Sequence, residues 1–202
     1  MNLPPALFPK LRSSLRKVVC PVEEIRRHVP LHSTVFDVGC GTGAILVDLI
    51  RTRQVKKVGG SETAPALLAL AREAAARALA APSESGDFLV SRLPPDCLRF
   101  YDCVVLIDVL HHIPRTEQPG FLRQLGHAMR PGARLILKDI NAARVSVLAN
   151  RLHDALFAGN GFQEISLTHA LDLVTAAGLK MLGSYEIQLL WYPHYFVIAQ
   201  KD

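Results

Sequence analysis

The sequence predicts an α/β fold: a doubly wound, mostly parallel seven-stranded sheet with helices on both faces and an antiparallel last strand. From Thr34 onwards, short and nearly continuous apolar runs alternate with helical patterns, which is typical of parallel strands covered on both faces. The last two strand-like runs have no helix between them, so we expect them to pair antiparallel at one edge. The length of 202 residues suits one core.

Seven runs have the length and composition of strands, and five have the pattern of helices. The predicted strands are Val35–Val38, Val55–Gly60, Phe88–Ser91, Cys103–Ile107, Arg134–Lys138, Lys180–Leu190 and Tyr195–Ala199. The predicted helices are Ala44–Thr52, Pro65–Ala81, Phe121–Met129, Ala143–Phe157 and Ser166–Ala177. Thr63 and Pro65 stand where a capping residue and a first-turn proline begin a helix.

The composition argues against a membrane or secreted protein. No apolar run approaches the roughly 20 residues of a membrane span, and the prolines near the N-terminus interrupt any signal-peptide pattern. The four cysteines form no C-x-x-C pair, so we expect free thiols and no metal site. A cytoplasmic location is the resulting expectation.

The positive charge is concentrated near the N-terminus. Of the net charge of +5, six basic and two acidic residues before Thr34 contribute +4. We therefore divide the chain into a basic, helical N-terminal arm or lid over residues 1–33 and one domain over residues 34–202. The rest of the chain lacks a broad basic surface, which argues against nucleic acid as a partner.

The stretch TVFDVGCGTGAI, beginning at Thr34, places Gly39, Gly41 and Gly43 between a strand and a helix. Glycine permits a tight turn and a close approach of the backbone to a ligand, and the following helix N-terminus favours a negative group. The spacing also fits the dinucleotide pattern G-x-G-x-x-G/A, with Glu62 at the distance of a ribose-binding acid. A plain strand–helix turn is the simplest alternative.

Three further features favour another ligand. Asp37 lies inside the strand before the glycines, where a carboxylate can receive the ammonium of an amino-acid ligand, directly or through water. The stretch YDCVVLIDVLHHIP ends a buried strand with an acid and two histidines. The stretch HAMRPGARLILKD is a helix, a turn and a strand that ends in two charged residues.

Together with GSETAP at residues 60–65, these motifs resemble the class I S-adenosylmethionine-dependent methyltransferases in order and spacing. The resemblance implies a Rossmann-like methyltransferase fold and S-adenosyl-L-methionine as the cofactor. The cofactor-binding residues that it implies are Asp37, Gly39, Cys40, Gly41, Gly43, Glu62, Ser91 and Asp108. Relatives often have an acid after the third strand that contacts adenine. Ser91 is the candidate for that contact here, and apolar packing is the alternative.

The resemblance also implies methyl transfer by direct displacement, in which alignment of the two reactants contributes most. His111 and His112 are the candidate general bases, and Asp139 is a third candidate catalytic residue. Packing against the cofactor is the alternative for the histidines. A salt bridge is the alternative for Lys138 and Asp139, and Asp108 is expected to line the pocket.

The predicted acceptor is a small molecule, with apolar or lipid-like compounds preferred, because no additional domain is visible. The N-terminal arm is interpreted as a lid, as a segment that contacts an anionic membrane surface, or as a helix packed on the sheet. The aromatic segment between Leu190 and Tyr195 is expected either to reach the substrate or to cover the sheet edge. The alternative functions are an NAD(P)-dependent oxidoreductase and a non-catalytic binding module.

Overall fold

The computed structural model describes residues 20–53, 55–81, 84–141, 165–189 and 192–202. Two predictions lie outside the described residues: the helix Ala143–Phe157 and the part of the N-terminal arm before residue 20. Residues 190 and 191 of the aromatic segment lie outside them as well.

Seven strands form one sheet in the order β3-β2-β1-β4-β5-β7-β6. They are β1 Thr34–Val38, β2 Lys57–Glu62, β3 Ser85–Val90, β4 Cys103–Ile107, β5 Arg134–Ile140, β6 Leu179–Leu189 and β7 Tyr192–Lys201. Each pairing is parallel except those of β7, which runs antiparallel to both β5 and β6. The predicted fold class is thereby confirmed.

Five α-helices are described: α1 Val22–His28, α2 Ala44–Arg53, α3 Pro65–Ala78, α4 Gln118–Ala128 and α5 Leu167–Ala176. Two short 3₁₀ helices, Asp96–Phe100 and Leu110–His112, flank β4. Pro65 stands at the start of α3 as predicted. The expectation that Thr63 caps α3 is wrong, because Ala64 is the N-cap residue and the Thr63 hydroxyl donates to Glu62.

The alternation of side chains along the strands fills two cores, one on each face of the sheet. Leu135 and Leu137 of β5 face a core with α4 and α5, whereas Ile136 faces the core that contains α2 and α3. The α4–α5 face becomes polar where β4 and β5 reach their carboxyl ends. In doubly wound sheets this edge is where ligands bind.

Near this edge, the predicted strand Arg134–Lys138 ends too early and the predicted strand Tyr195–Ala199 begins too late, for the same physical reason. The antiparallel ladder between β5 and β7 continues to the pairs Asp139–Tyr195 and Ile140–His194. The strand β7 therefore begins at Tyr192, and residues 193–195 are buried in the sheet instead of forming a loop. The prediction that residues 192–194 lie between the last two strands is corrected accordingly, while Tyr195 lies in a strand as predicted.

The helix α1 packs against the domain. Arg26 donates from Nε to Asp48 of α2 at 2.7 Å, and His28 Nε2 lies 2.7 Å from the Tyr185 hydroxyl of β6. The helical pattern predicted for the arm covers residues 7–18, which lie outside the described residues, and the domain boundary at residue 33 stays a prediction. Among the described residues, no helix combines the length and the apolar character of a membrane span.

Candidate active site

The glycine loop connects β1 to α2 in a conformation that requires glycine. Gly39, Gly41 and Gly43 have positive φ values of 80°, 54° and 77°. A Cβ atom on Gly39 would lie 2.5 Å from Cγ2 of Val109, and one on Gly43 would lie 2.9 Å from Cα of Ala71. The loop is therefore fixed by backbone conformation and by packing, and its N–H groups are held at the start of α2.

Glu62 ends β2 beside this loop and orders it. Its Oε2 atom accepts a hydrogen bond from Gly41 N at 3.0 Å, and its Oε1 atom accepts from Thr63 N at 2.7 Å and from Ala64 N at 3.2 Å. The carboxylate predicted to bind ribose thus also joins the glycine loop to the start of α3. This second role is not visible in the sequence.

Two buried side chains accompany the loop: Asp37 comes before it and Cys40 lies within it. The Asp37 side chain is 2% exposed and belongs to β1, two residues before Gly39. Burial, and after it the charges of Asp37 and Glu62, raise the pKa of the Cys40 thiol, so this thiol stays protonated. A Cβ atom on Gly60 would lie 2.9 Å from Cys40 Sγ. Cys40 therefore fills the space under the loop with an inert thiol.

Ser91 has a local role at the end of β3. Its hydroxyl donates to Leu93 O at 2.7 Å and accepts from Leu93 N at 3.2 Å. Ser91 N also donates to the backbone carbonyl of Glu62 at 3.1 Å, which places Ser91 next to the predicted ribose site. The expected contact between Ser91 and adenine stays a prediction. The exposed side chains of Val90 and Leu93 are the apolar surface nearby.

His111 and Asp139 form a buried pair between the ends of β4 and β5. Their Nδ1 and Oδ1 atoms are 2.5 Å apart, and Asp139 Oδ2 accepts from His111 N at 3.2 Å. Burial opposes the charged imidazole, but the charge of Asp139 and its hydrogen bond outweigh burial and raise the pKa of His111. The carboxylate thus fixes the ring and makes it more basic.

Asp108 and Lys138 form a second pair in the same place, with Lys138 buried and Asp108 partly exposed. Lys138 Nζ donates to Asp108 Oδ1 at 2.7 Å, and Asp108 N donates to Lys138 O at 2.9 Å. Asp108 has a positive φ of 56°, a conformation that costs a non-glycine residue free energy. The salt-bridge interpretation of the charges at the end of β5 is therefore correct for Lys138, but its partner is Asp108.

The two histidines differ in their environments. The His111 side chain is 5% exposed, whereas His112 is exposed to solvent. Their ring centroids lie 3.9 Å apart. His111 has a carboxylate partner, Asp139, that orients its imidazole for proton transfer.

The structure brings three more residues to this site: Glu186 and Asn141, which the sequence did not single out, and Tyr195, the last residue of the aromatic segment. Tyr195 lies opposite Asp139 in the β5–β7 ladder, and Glu186 lies opposite Tyr195 in the β6–β7 ladder. Asn141, which follows β5, donates from Nδ2 to Glu186 Oε1 at 2.8 Å. These polar residues continue the site along the edge of the sheet. Only the strand register brings them together.

Asp108, His111 and Asp139 offer ligand atoms that all lie within 4.8 Å of one another, so the group has the dimensions of a metal site. The spacing of histidines and cysteines in the sequence gave no indication of it. Lys138 neutralises Asp108, and His111 is hydrogen-bonded to Asp139 through Nδ1. We therefore interpret the group as one ion pair beside one hydrogen-bonded histidine–carboxylate pair.

Comparison with known proteins agrees with this geometry. A family model described as "Methyltransferase domain" matches residues 8–183. Among solved structures, magnesium protoporphyrin IX methyltransferase from Synechocystis PCC 6803, with bound SAH, is 19% identical, with a TM-score of 0.68 over 93% of this chain and 87% of that chain. The S-adenosylmethionine-dependent methyltransferase SibL is 20% identical, with a TM-score of 0.75 over 99% of this chain and 60% of its own.

A third similar structure is the O-methyltransferase family 2 protein from Planctomyces limnophilus DSM 3776 in complex with apigenin, 19% identical, with a TM-score of 0.69 over 97% of this chain and 60% of that one. At these identities the structures establish the fold, and the family model covers most of the chain. The chain belongs to the class I S-adenosylmethionine-dependent methyltransferase family.

Proposed function

We propose that this protein transfers a methyl group from S-adenosyl-L-methionine to a hydroxyl group of a small molecule. The observation that carries the proposal is the His111–Asp139 pair, with 2.5 Å between Nδ1 and Oδ1, at the carboxyl ends of β4 and β5. A basic, oriented imidazole is useful when the acceptor must lose a proton, as a hydroxyl must. An acceptor that attacks without losing a proton would not need it.

The residues around the glycine loop fit the cofactor. Because Gly39, Gly41 and Gly43 have no side chains, their backbone would pass close to the methionine part of the cofactor. Asp37 would receive the ammonium group of that part. Glu62 has the remaining acceptor capacity on Oε2 to bind a ribose hydroxyl. The bound cofactor would supply a methyl group that is already activated on a positively charged sulfur.

In this mechanism the chain aligns the acceptor and removes one proton. The methyl group would pass to the acceptor oxygen in one displacement and would leave a neutral thioether behind. His111 takes the hydroxyl proton on Nε2, since Nδ1 is held by Asp139, and Asp139 stabilises the imidazolium that results. The proton then leaves to solvent, which regenerates the neutral ring.

The names of the similar structures support a small acceptor. One is a protoporphyrin methyltransferase and another is an O-methyltransferase in complex with apigenin. The described part of this chain contains no inserted domain that would read a macromolecule. Apolar ring systems with a hydroxyl group are therefore our preferred acceptors.

The test has two steps. First, S-adenosylhomocysteine and NAD are compared by thermal shift, where a true ligand at a hundredfold excess over its Kd adds about 2.7 kcal/mol. Second, a panel of hydroxylated aromatic compounds is incubated with a labelled methyl donor, with wild type and His111→Ala compared. Stabilisation by NAD and not by S-adenosylhomocysteine would contradict the proposal. Labelling by His111→Ala at the wild-type rate would contradict the role of His111.

A further inference from the structure

The hydroxyl of Tyr195 is a buried polar group. The residue is fully buried, and its hydroxyl makes no hydrogen bond with any of the described residues. Asp139 faces it across the β5–β7 ladder. After burial, the charges of Asp139 and Asp108 raise the pKa of this hydroxyl further, so it remains a protonated donor.

Asn141, two residues after Asp139, has a second buried polar atom of this kind. Asn141 is 4% exposed, and its Nδ2 atom is fixed by Glu186 at 2.8 Å, which leaves Oδ1 as a buried acceptor without a partner in the described part of the chain. Glu186 is itself opposite Tyr195. The donor lies opposite Asp139 in the β5–β7 ladder, and the acceptor belongs to the residue two positions after Asp139.

Buried polar atoms without partners are uncommon because each costs free energy in the folded protein. Here two of them share one edge of the sheet with His111 and Asp139, where the acceptor must bind. A single group that both accepts and donates hydrogen bonds would satisfy them together. A primary carboxamide does this, with its oxygen at Tyr195 and its nitrogen at Asn141.

We propose that Tyr195 and Asn141 form a polar subsite for a second group of the acceptor, and that this acceptor is a hydroxylated ring compound whose reacting hydroxyl is flanked by a carboxamide or a similar donor–acceptor group. This inference rests on the proposed function, since it places the reacting hydroxyl at His111. Tyr195 and Asn141 select the acceptor and take no part in the proton transfer.

The first test needs no acceptor activity. The substitution Tyr195→Phe removes a hydroxyl that has no partner, so we expect the Tm of the free protein to stay the same or to rise. The matched control is Tyr185→Phe on β6, because the Tyr185 hydroxyl lies 2.7 Å from His28 and donates to Glu24 at 3.1 Å. We expect that control to lower Tm by about 2–4 °C. A similar fall in Tyr195→Phe would mean that a buried water or another structural partner satisfies the hydroxyl, and would overturn the proposal.

The second test measures ligand binding to the protein saturated with S-adenosylhomocysteine. The probes are 2-hydroxybenzamide, which carries the flanking carboxamide, and phenol, which does not. We expect wild type to bind 2-hydroxybenzamide about three- to tenfold more tightly than phenol. The preference should fall to about twofold or less in Tyr195→Phe and in Asn141→Leu, with phenol binding unchanged.

The outcomes separate this inference from the proposed function. If S-adenosylhomocysteine does not bind, the proposed function fails. If it binds and neither probe does, or if both probes bind equally to wild type, only the polar subsite fails. A preference that persists in both variants would also overturn it.

Discussion

Gly41 N donates a hydrogen bond to Glu62 Oε2 across the carboxyl edge of the sheet, with 3.0 Å between the two atoms. The acid predicted to bind the ribose is therefore also a structural part of the glycine loop. If the ribose prediction holds, a substitution of Glu62 should change both cofactor affinity and the order of the loop.

We predict that Glu62→Gln weakens S-adenosylhomocysteine binding by about tenfold to a hundredfold, because hydrogen bonds to a charged carboxylate contribute about 1.5–3 kcal/mol. The amide keeps only one of the two acceptor oxygens, so its NH₂ group faces either Gly41 N or the N–H groups of Thr63 and Ala64. Isothermal titration calorimetry measures the effect. Glu73→Gln on α3, which removes an equal charge from an exposed pair with Arg77, is the control and should bind as wild type does. Equal affinity in the two variants would exclude Glu62 from the site.

The shape of the glycine loop gives a second prediction. Gly39→Ala places a methyl group 2.5 Å from Val109 Cγ2 at a φ of 80°, so we expect lower stability and loss of S-adenosylhomocysteine binding. The left-handed backbone alone costs about 1–2 kcal/mol. Val109→Ala combined with Gly39→Ala should relieve the clash and restore part of the Tm. Gly120→Ala on α4, where a Cβ atom meets nothing within 4 Å, should leave both properties intact.

The His111–Asp139 pair predicts a specific pH dependence. Because the pKa of His111 is raised above its ordinary value of 6.5, the unprotonated base is lost as the pH falls through the raised value, and the rate falls with it. Asp139→Asn removes the negative charge that raises the pKa of His111. The acidic limb of the pH–rate profile should therefore move to lower pH, while the maximal rate decreases by about 10²-fold. Histidine resonances followed by NMR report the same shift without turnover. The control is Asp172→Asn, which removes the same charge from an exposed residue. An acidic limb that stays at the wild-type pH in Asp139→Asn would contradict the pairing.

The stability of the β1–β4 junction should depend on pH through Asp102. Burial alone would raise the pKa of Asp102, but hydrogen bonds from Thr34 N, Thr34 Oγ1 and Arg130 outweigh it and lower the pKa below 3.8. A lowered pKa means that the stabilisation is present above the ordinary value and is lost as the pH falls through the folded-state value. We expect Asp102→Asn to reduce the free energy of unfolding by about 1 kcal/mol at neutral pH. Urea titrations should show a difference from wild type that shrinks in acid, and a difference that grows there would contradict the assignment.

Local sequence patterns were sufficient to predict the sheet, the glycine loop and the acid after β2. Gly39, Gly41 and Gly43 have the positive φ values that their places between a strand and a helix suggest, and Cys103–Ile107 is a strand with the predicted boundaries. These features depend on residues close together in the chain. Local periodicity and turn-forming residues are therefore sufficient to predict them.

The proximity of Asp139, Tyr195, Glu186 and Asn141 could not be predicted in this way, because it depends on the register of the antiparallel strands. Tyr195 and Asp139 are 56 positions apart in the sequence and lie opposite each other only in the β5–β7 ladder. A pattern in one strand cannot indicate which residue of another strand faces it. For the same reason, the sequence suggested that Asp139 and Lys138 carry function or form a salt bridge but not that their partners are His111 and Asp108.

The charge balance of these pairs leads to a last prediction, about metal ions. A divalent ion at Asp108, His111 and Asp139 would have to displace the His111 proton and would meet the Lys138 ammonium, which is already 2.7 Å from Asp108 Oδ1. We therefore expect excess EDTA to leave S-adenosylhomocysteine binding and methyl transfer unchanged. Lys138→Met removes the competing charge and leaves two carboxylates with one imidazole, so this variant should bind Mn²⁺ more tightly than wild type does. Calorimetry with Mn²⁺ on both proteins measures the difference. Loss of transfer in EDTA that Mn²⁺ restores in wild type would show instead that the two pairs open to hold a metal.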